Sequence, residues 1–222
     1  MVTKEATVSV VQHTERPEWA MAYIARVSNP AGQQDNAKPE RLLRYCIKHQ
    51  HWSVFEHATL TLEINTTLAI ATQLLRHRSF TFQQFSQRYA DPTAALPLTL
   101  AQPHLRMQDN KNRQNSLDTC PPEIASEFRE RITTLFDTIT GLYTDMVSAG
   151  IAKECARAVL PQATRTRVYM TGNCRNWIHY IQLRSGPETQ AEHRDVALDV
   201  KSAFCQVFPT VAEALGWGTL PV

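Results

Sequence analysis

The sequence predicts an α/β protein of the α+β type: a single domain over residues 1–222, with a mainly antiparallel sheet surrounded by helices. Three observations lead there. Stretches that alternate apolar and polar residues are mixed with stretches of helical spacing, yet the regular β-α-β alternation of a doubly wound, Rossmann-type sheet is absent. The 222 residues are 43% hydrophobic and 20% charged, enough to bury a real core. No repeat, low-complexity tract or composition shift marks a linker.

Ala6 to Val11 alternates as a short strand, and Pro17 opens a helix over Trp19 to Val27, with Met21, Ile24 and Val27 on one side. Ser28-Asn29-Pro30 stops it. Lys38 to His49 is helical through Leu42, Leu43, Cys46 and Ile47, and His57 to Ile64 alternates as a strand. Leu68 to Arg78 returns to helical spacing, Phe82 to Tyr89 alternates again, and the run through Pro92, Pro97 and Pro103 reads as a loop. Pro121-Pro122 starts a long helix to about Met146, with Ile124, Phe128, Ile132, Leu135, Phe136, Ile139 and Tyr143 on one stripe, and Gly150 ends it. A short helix over Ile151 to Val159, a strand over Arg165 to Thr171, a helix over Asn173 to Leu183 and a last helix over Thr189 to Val207 complete the chain.

Net charge is +2, too small for a bulk argument toward nucleic acid or membrane. No window approaches the ~18 apolar residues of a membrane span, and Met1 to Val10 is too polar for a secretory signal, so a cytoplasmic location is expected. Cys46, Cys120, Cys155, Cys174 and Cys205 are odd in number and never form Cys-x-x-Cys, which argues for reduced packing thiols and against a disulfide framework or a metal site.

Chemistry concentrates in two windows. Ile64 to Ala90 contains no Asp, Glu or Lys but holds Arg76, Arg78 and Arg88. Cys155 to Pro187 is equally free of them and holds Arg157, Arg165, Arg167, Arg175 and Arg184. Arginines without local carboxylates suit an external anion, because the planar fork matches phosphate bidentately. The plainer alternative is that they pair with acids from the long helix or are simply exposed. On a helix ending near Arg78, Gln73, Arg76 and His77 share a face. On the following strand Gln84, Ser86 and Arg88 point one way and Phe85, Gln87 and Tyr89 the other. Arg175 and His179 are neighbours by i+4 spacing.

Arg76-His77-Arg78, seven residues, then Ser86 with Gln87-Arg88-Tyr89 resembles the Arg-His-Arg-x7-Ser signature of the flavin-dependent thymidylate synthases. His51-Trp52-Ser53-Val54-Phe55-Glu56-His57 is similar to that family's upstream segment, Ala156-Arg157-Ala158-Val159-Leu160-Pro161 to its Ala-Arg-x-x-Leu-Pro turn, and Asn173-x-Arg175-x3-His179-x4-Arg184 to its C-terminal block. The likeness runs in order from about residue 8 to 215. It departs at Gln83-Gln84, where many members carry Asn-Glu, so hydrogen-bonding capacity remains without the charge.

The resemblance implies conversion of dUMP to dTMP, with methylenetetrahydrofolate as one-carbon donor and NADPH as reductant through FAD. It implies dUMP contacts from Gln73, Arg76, Gln84, Ser86, Arg88 and Arg157, together with Arg184, the catalytic cation beside the electron-rich uracil. It assigns FAD to His51, Ser53, Arg76, His77 and Arg78, and further to Gln84, Asn173, Arg175 and His179. No Gly-x-Gly-x-x-Gly occurs among seven glycines, so arginines would take over from helix-terminus amides as the anion site. It also implies a homotetramer with shared sites, no metal, and no nucleic-acid or membrane partner. Two other readings stay open on the residues alone. One is a polyanion- or RNA-binding module that stacks bases on Phe80, Phe82, Phe85 and Tyr89; the other is a flavin enzyme acting on a different nucleotide.

Overall fold

The computed structural model describes residues 6–34, 38–90 and 100–218, so Pro92 and Pro97 of the expected loop lie outside the described residues. In chain order the elements are β1 (Thr7–His13), α1 (Pro17–Ala25), α2 (Pro30–Gln34), α3 (Pro39–Lys48), a 3-10 turn (Trp52–Glu56), β2 (Thr59–Thr67), α4 (Leu68–Leu74) and β3 (Thr81–Gln84). They continue with β4 (Met107–Gln108), β5 (Ser116–Leu117), α5 (Pro122–Ser148), α6 (Lys153–Ala156), a 3-10 turn (Arg157–Val159) and β6 (Arg165–Asn173). The chain closes with α7 (Cys174–Arg184), α8 (Ala191–Val207) and α9 (Pro209–Ala214).

The class is α+β, about 52% helical, with a mainly antiparallel sheet. The order of the four-stranded sheet is β1-β2-β6-β3, and β4 and β5 form a separate antiparallel hairpin. The short α2, the hairpin and α9 were not legible in the sequence pattern; each is too short for a period to show.

The chain divides into two compact units. The first holds Asn65–Leu74 and Gln84–Val168, and the second holds Ala6–Ile64, Leu75–Gln83 and Tyr169–Val222. In the first unit α5 begins at the predicted Pro-Pro, and Gly150, at φ 84, ends it by letting the Ile151 N–H reach back to the Met146 carbonyl at 3.0 Å. Its apolar stripe is only partly covered. Tyr143 and Ala125 are buried, whereas Ile124, Phe128 and Leu135 are exposed.

In the second unit the core is built on Met21, Leu43, Phe55, Leu60, Leu62, Trp177, Tyr180, Phe204 and Phe208, all fully buried. Trp177 satisfies its indole N–H on the Leu60 carbonyl at 3.0 Å, so a large apolar ring is buried without an orphaned donor. α1 and α9 pack on α3, and α7 packs on α8 and on the 3-10 turn. Asn173 caps α7: its side chain accepts from the Asn176 N–H at 2.9 Å.

Candidate active site

The Arg-His-Arg segment is not the helical end that its spacing suggests. α4 stops at Leu74, so Gln73 and the arginines share no helical face. Residues 75–80 turn instead because tertiary contacts capture them. Asn176 Nδ2 donates to the Ser79 carbonyl at 2.7 Å, and the Phe80 ring lies 4.7 Å from that of Trp177. Gly172 of β6 makes room for that ring: a Cβ there would sit 2.5 Å from Phe80 carbons. The turn points His77 inward, 9% exposed, and leaves Arg76 and Arg78 in solvent. Neither arginine has an ion-pair or hydrogen-bond partner among the described residues.

His77 meets Arg184, the last residue of α7. Arg184 Nε donates to His77 Nε2 at 3.0 Å, which requires the neutral ring with its proton on Nδ1. Burial, followed by the positive charge of Arg184 and by His179, holds His77 down at about 4, so it stays neutral at physiological pH. The guanidinium keeps its terminal nitrogens for another acceptor.

Around this pair the second unit carries the other predicted residues. His179 and Arg175 are exposed on α7, and Arg175 pairs with Glu56 of the 3-10 turn. Asn173 commits its carbonyl oxygen to the cap, leaving its amide donor. Ser53 is exposed in that turn. His51 is exposed just before it, its ring 5.9 Å from Tyr45 and 6.1 Å from His49.

The first unit holds the remainder. The strand predicted to Tyr89 ends at Gln84, whose amide donates to Thr166 Oγ1 at 3.3 Å. Beyond Phe85 the chain turns, with the Tyr89 and Ala90 N–H groups bonding to the Ser86 carbonyl, so Ser86 and Arg88 are presented from a turn and not from one strand face. Arg88 pairs with Glu154 at 3.0 Å, both side chains more than half exposed. Arg157 follows Glu154 by three residues, at the end of α6; it is exposed and without a partner among the described residues. Gln73 is half-buried at the end of α4. The partners of Arg175 and Arg88 are Glu56 and Glu154 and not acids of the long helix, and distant pairing of this kind leaves no local signal. An open pocket of about 540 Å³ lies elsewhere in the second unit, lined by Arg16, Trp19, Glu40 and Gln206 among others, and none of the predicted residues lines it.

Arg76 and Arg78 are exposed cations with no carboxylate partner among the described residues, and they and exposed His179 belong to the same unit; cations of this kind have the chemistry to hold a pyrophosphate in a protein lacking a glycine-rich loop. The five cysteines are free. Cys174 is fully buried, its thiol pushed well up by burial, and so is unsuited to act as a nucleophile. Two further buried groups escaped the sequence reading: Tyr180 and His193, whose hydroxyl and Nε2 are hydrogen-bonded at 3.1 Å. The signal was there, since His193 falls on the buried stripe of α8 with Val196, Ala197 and Val200, where an imidazole is out of place.

Comparison with known proteins places this chain in a class. Residues 9–210 match the family described as thymidylate synthase complementing protein. A probable flavin-dependent thymidylate synthase of Paramecium bursaria Chlorella virus 1 is 49% identical over 212 residues, 95% of this chain and 96% of that protein. The flavin-dependent thymidylate synthase of Synechocystis is 47% identical over 90% of each chain. The UMP/dUMP methylase PolB of Streptomyces cacaoi, solved with 5-Br UMP, superposes with a TM-score of 0.80 at 27% identity, over 96% of this chain and 94% of that one. This chain belongs to the flavin-dependent thymidylate synthase family.

Proposed function

We propose that the chain is a FAD-dependent thymidylate synthase that methylates dUMP reductively to dTMP, with methylenetetrahydrofolate as one-carbon donor and NADPH as reductant. The single geometric observation that supports the site assignment is the Arg184–His77 pair. It fixes a guanidinium on one nitrogen and leaves its terminal donors for a ligand.

When bound, FAD supplies the hydride that reduces the pyrimidine. Arg76, Arg78, Arg175 and His179 would hold its phosphates and polar edges, with His77, Asn173, His51, Ser53 and Gln84 completing the set. The protein's own part in the chemistry is positional and electrostatic. Reduction places negative charge on the uracil ring, and Arg184 is the fixed cation for that charge, its planar fork suited to two acceptors on the ring edge. Neutral His77 accepts from Arg184 without adding a second positive charge.

Arg88 and Arg157 serve the dUMP phosphate, with Ser86 and Gln73 donating neutral hydrogen bonds and Arg76 and Gln84 serving both ligands. The Arg88–Glu154 pair is compatible with this. An exposed ion pair is worth little, and a dianion readily replaces it.

The chain acts as one catalytic domain over residues 1–222, in a homotetramer with shared sites. Ile124, Phe128, Leu135 and Leu142 on α5, each more than 40% exposed in the single chain, support assembly. A cytoplasmic setting with no nucleic-acid or membrane partner fits the substrate; among the described residues no helix is long and apolar enough to cross a membrane.

The freshly purified protein is expected to show flavin absorption and to form dTMP from dUMP when given methylenetetrahydrofolate and NADPH. A colourless protein that cannot take up FAD overturns the reading in favour of a polyanion-binding module. Flavin reduction without dTMP formation points to another nucleotide substrate.

A further inference from the structure

Behind the Arg184–His77 pair lies a second polar pair with no assigned role. The Tyr180 ring stands edge-on to His77, centroids 5.0 Å apart, and His193 lies 6.4 Å from His77 at a near-right angle. Tyr180 and His193 are both fully buried and bonded to each other at 3.1 Å. A phenylalanine and an aliphatic residue would fill this space without a hydrogen bond to satisfy, so a polar pair is not the simplest way to pack α7 on α8. What the pair does is fix the plane of the Tyr180 ring, and that ring is the wall against which His77 is set.

We propose that Tyr180 and His193 are positioning residues that hold the His77 ring in the orientation and tautomer that present Nε2 to Arg184, and thereby aim the guanidinium. The inference rests on the reading that Arg184 serves the pyrimidine. Among the groups facing the two imidazoles are Arg184, His179 and Tyr180 from α7 and each other's rings. Burial, Arg184 and His77 hold His193 down at about 3, so above pH 5 both buried imidazoles are neutral beside the Arg184 charge. Neutral His193 can accept the Tyr180 hydroxyl proton at Nε2, which closes the chain of contacts from α8 to Arg184.

Tyr180→Phe removes the bond and keeps the ring; His193→Leu removes the partner; His193→Gln restores an acceptor. Tyr180→Phe and His193→Leu are expected to retain FAD and to keep the dUMP KM within about twofold, while kcat falls by about tenfold to a hundredfold, the scale of a misplaced catalytic group. His193→Gln is expected to recover most of that loss. A second readout is independent of turnover. Nitrogen-15 NMR of the imidazoles in the FAD-bound protein should show His77 protonated on Nδ1 and neutral to near pH 5, and in Tyr180→Phe a mixed tautomer and a midpoint moved up toward 6.5. If both variants keep kcat and the His77 tautomer while Arg184→Ala is inactive, the positioning role is wrong and the assignment of Arg184 stands. If Arg184→Ala is itself active, the underlying assignment falls and this inference with it. Should His193→Leu fail to fold, Tyr180→Phe and His193→Gln still decide.

Discussion

Arg184 donates from Nε to Nε2 of His77 at 3.0 Å, so the guanidinium is tethered by one nitrogen while its terminal nitrogens stay available. A helix-end cation placed there only for the dipole of α7 would need no such tether. Arg184→Ala is therefore expected to lower dTMP formation by several orders of magnitude, with FAD retention and NADPH-driven flavin reduction without dUMP near normal. Arg184→Lys should recover little, because a point charge on a flexible stem cannot both bond His77 and present a planar pair of donors. Rapid-mixing measurement of product yield at saturating dUMP checks this, and a near-normal yield in the alanine variant would refute the assignment.

In the first unit the exposed Arg88–Glu154 pair competes with the phosphate proposed for Arg88 and Arg157. Arg88→Ala and Arg157→Ala should each weaken dUMP by about 1.5–3 kcal/mol and leave deoxyuridine, which lacks the dianion, nearly untouched. Glu154→Gln should tighten dUMP by about 0.2–1 kcal/mol, the range of an exposed pair, because the competing carboxylate is gone. Calorimetric titration with the nucleotide and the nucleoside separates these effects; equal losses for dUMP and deoxyuridine would remove the arginines from the phosphate.

Much of the scaffold was legible because its punctuation is local. Pro121-Pro122 and Gly150 bound the long helix, and the strand read over Arg165 to Thr171 and the helix read over Asn173 to Leu183 match β6 and α7 to within two residues. The end of α4 was not legible, because Gly172, Asn176 and Trp177 set the path of residues 75–80 from far along the chain. The same holds for the site. The acid-free windows single out the candidate arginines, whereas the partners of Arg175 and Arg88, Glu56 and Glu154, and the inward turn of His77, arise only on folding. Periodicity also gave the stripe on α5 but not its exposure, which depends on what packs there.

The two buried imidazoles make stability depend on acid. His77 and His193 are held near 4 and 3, below the ordinary 6.5, so between those values the unfolded chain binds protons that the folded chain does not. Stability is thus full above about pH 6.5 and falls as pH drops, by about 1.4 kcal/mol per pH unit for each group, until the folded-state values are passed. Urea unfolding at pH 7.5, 6 and 5 should show this decline, and His193→Gln should show a shallower one. A stability independent of pH over that range would mean that these rings are not buried neutral.

Cys174 tests whether the chemistry needs a thiol. It is fully buried at the start of α7, its backbone N–H bonded to the Ala58 carbonyl at 2.8 Å, and burial pushes its thiol well up. Cys174→Ser should cost about 1–3 kcal/mol of stability through the buried hydroxyl, yet leave turnover per folded, FAD-bound protein largely intact. Abolished turnover with FAD and dUMP still bound would require a protein nucleophile, contrary to the hydride route.

Gly172 links the fold to the site through a contact that tolerates no side chain. A Cβ at this position would lie 2.5 Å from Phe80 Cδ1 and Cε1, atoms of a ring that cannot swing away because Trp177 and Tyr180 pack against it. In Gly172→Ala the ring must be displaced, and with it the turn that points His77 inward and Arg76 and Arg78 outward. Overpacking of this kind costs about 1–3 kcal/mol. The functional loss is expected to exceed the share due to unfolding, because the displaced turn carries the signature residues: FAD should dissociate more readily at a temperature where circular dichroism still shows a folded chain. Phe80→Leu in the Gly172→Ala background shortens the obstructing side chain and should restore part of the FAD affinity. If Gly172→Ala binds FAD as tightly as the parent protein, or if Phe80→Leu fails to compensate, the close approach of Phe80 to β6 is not what sets the Arg-His-Arg turn.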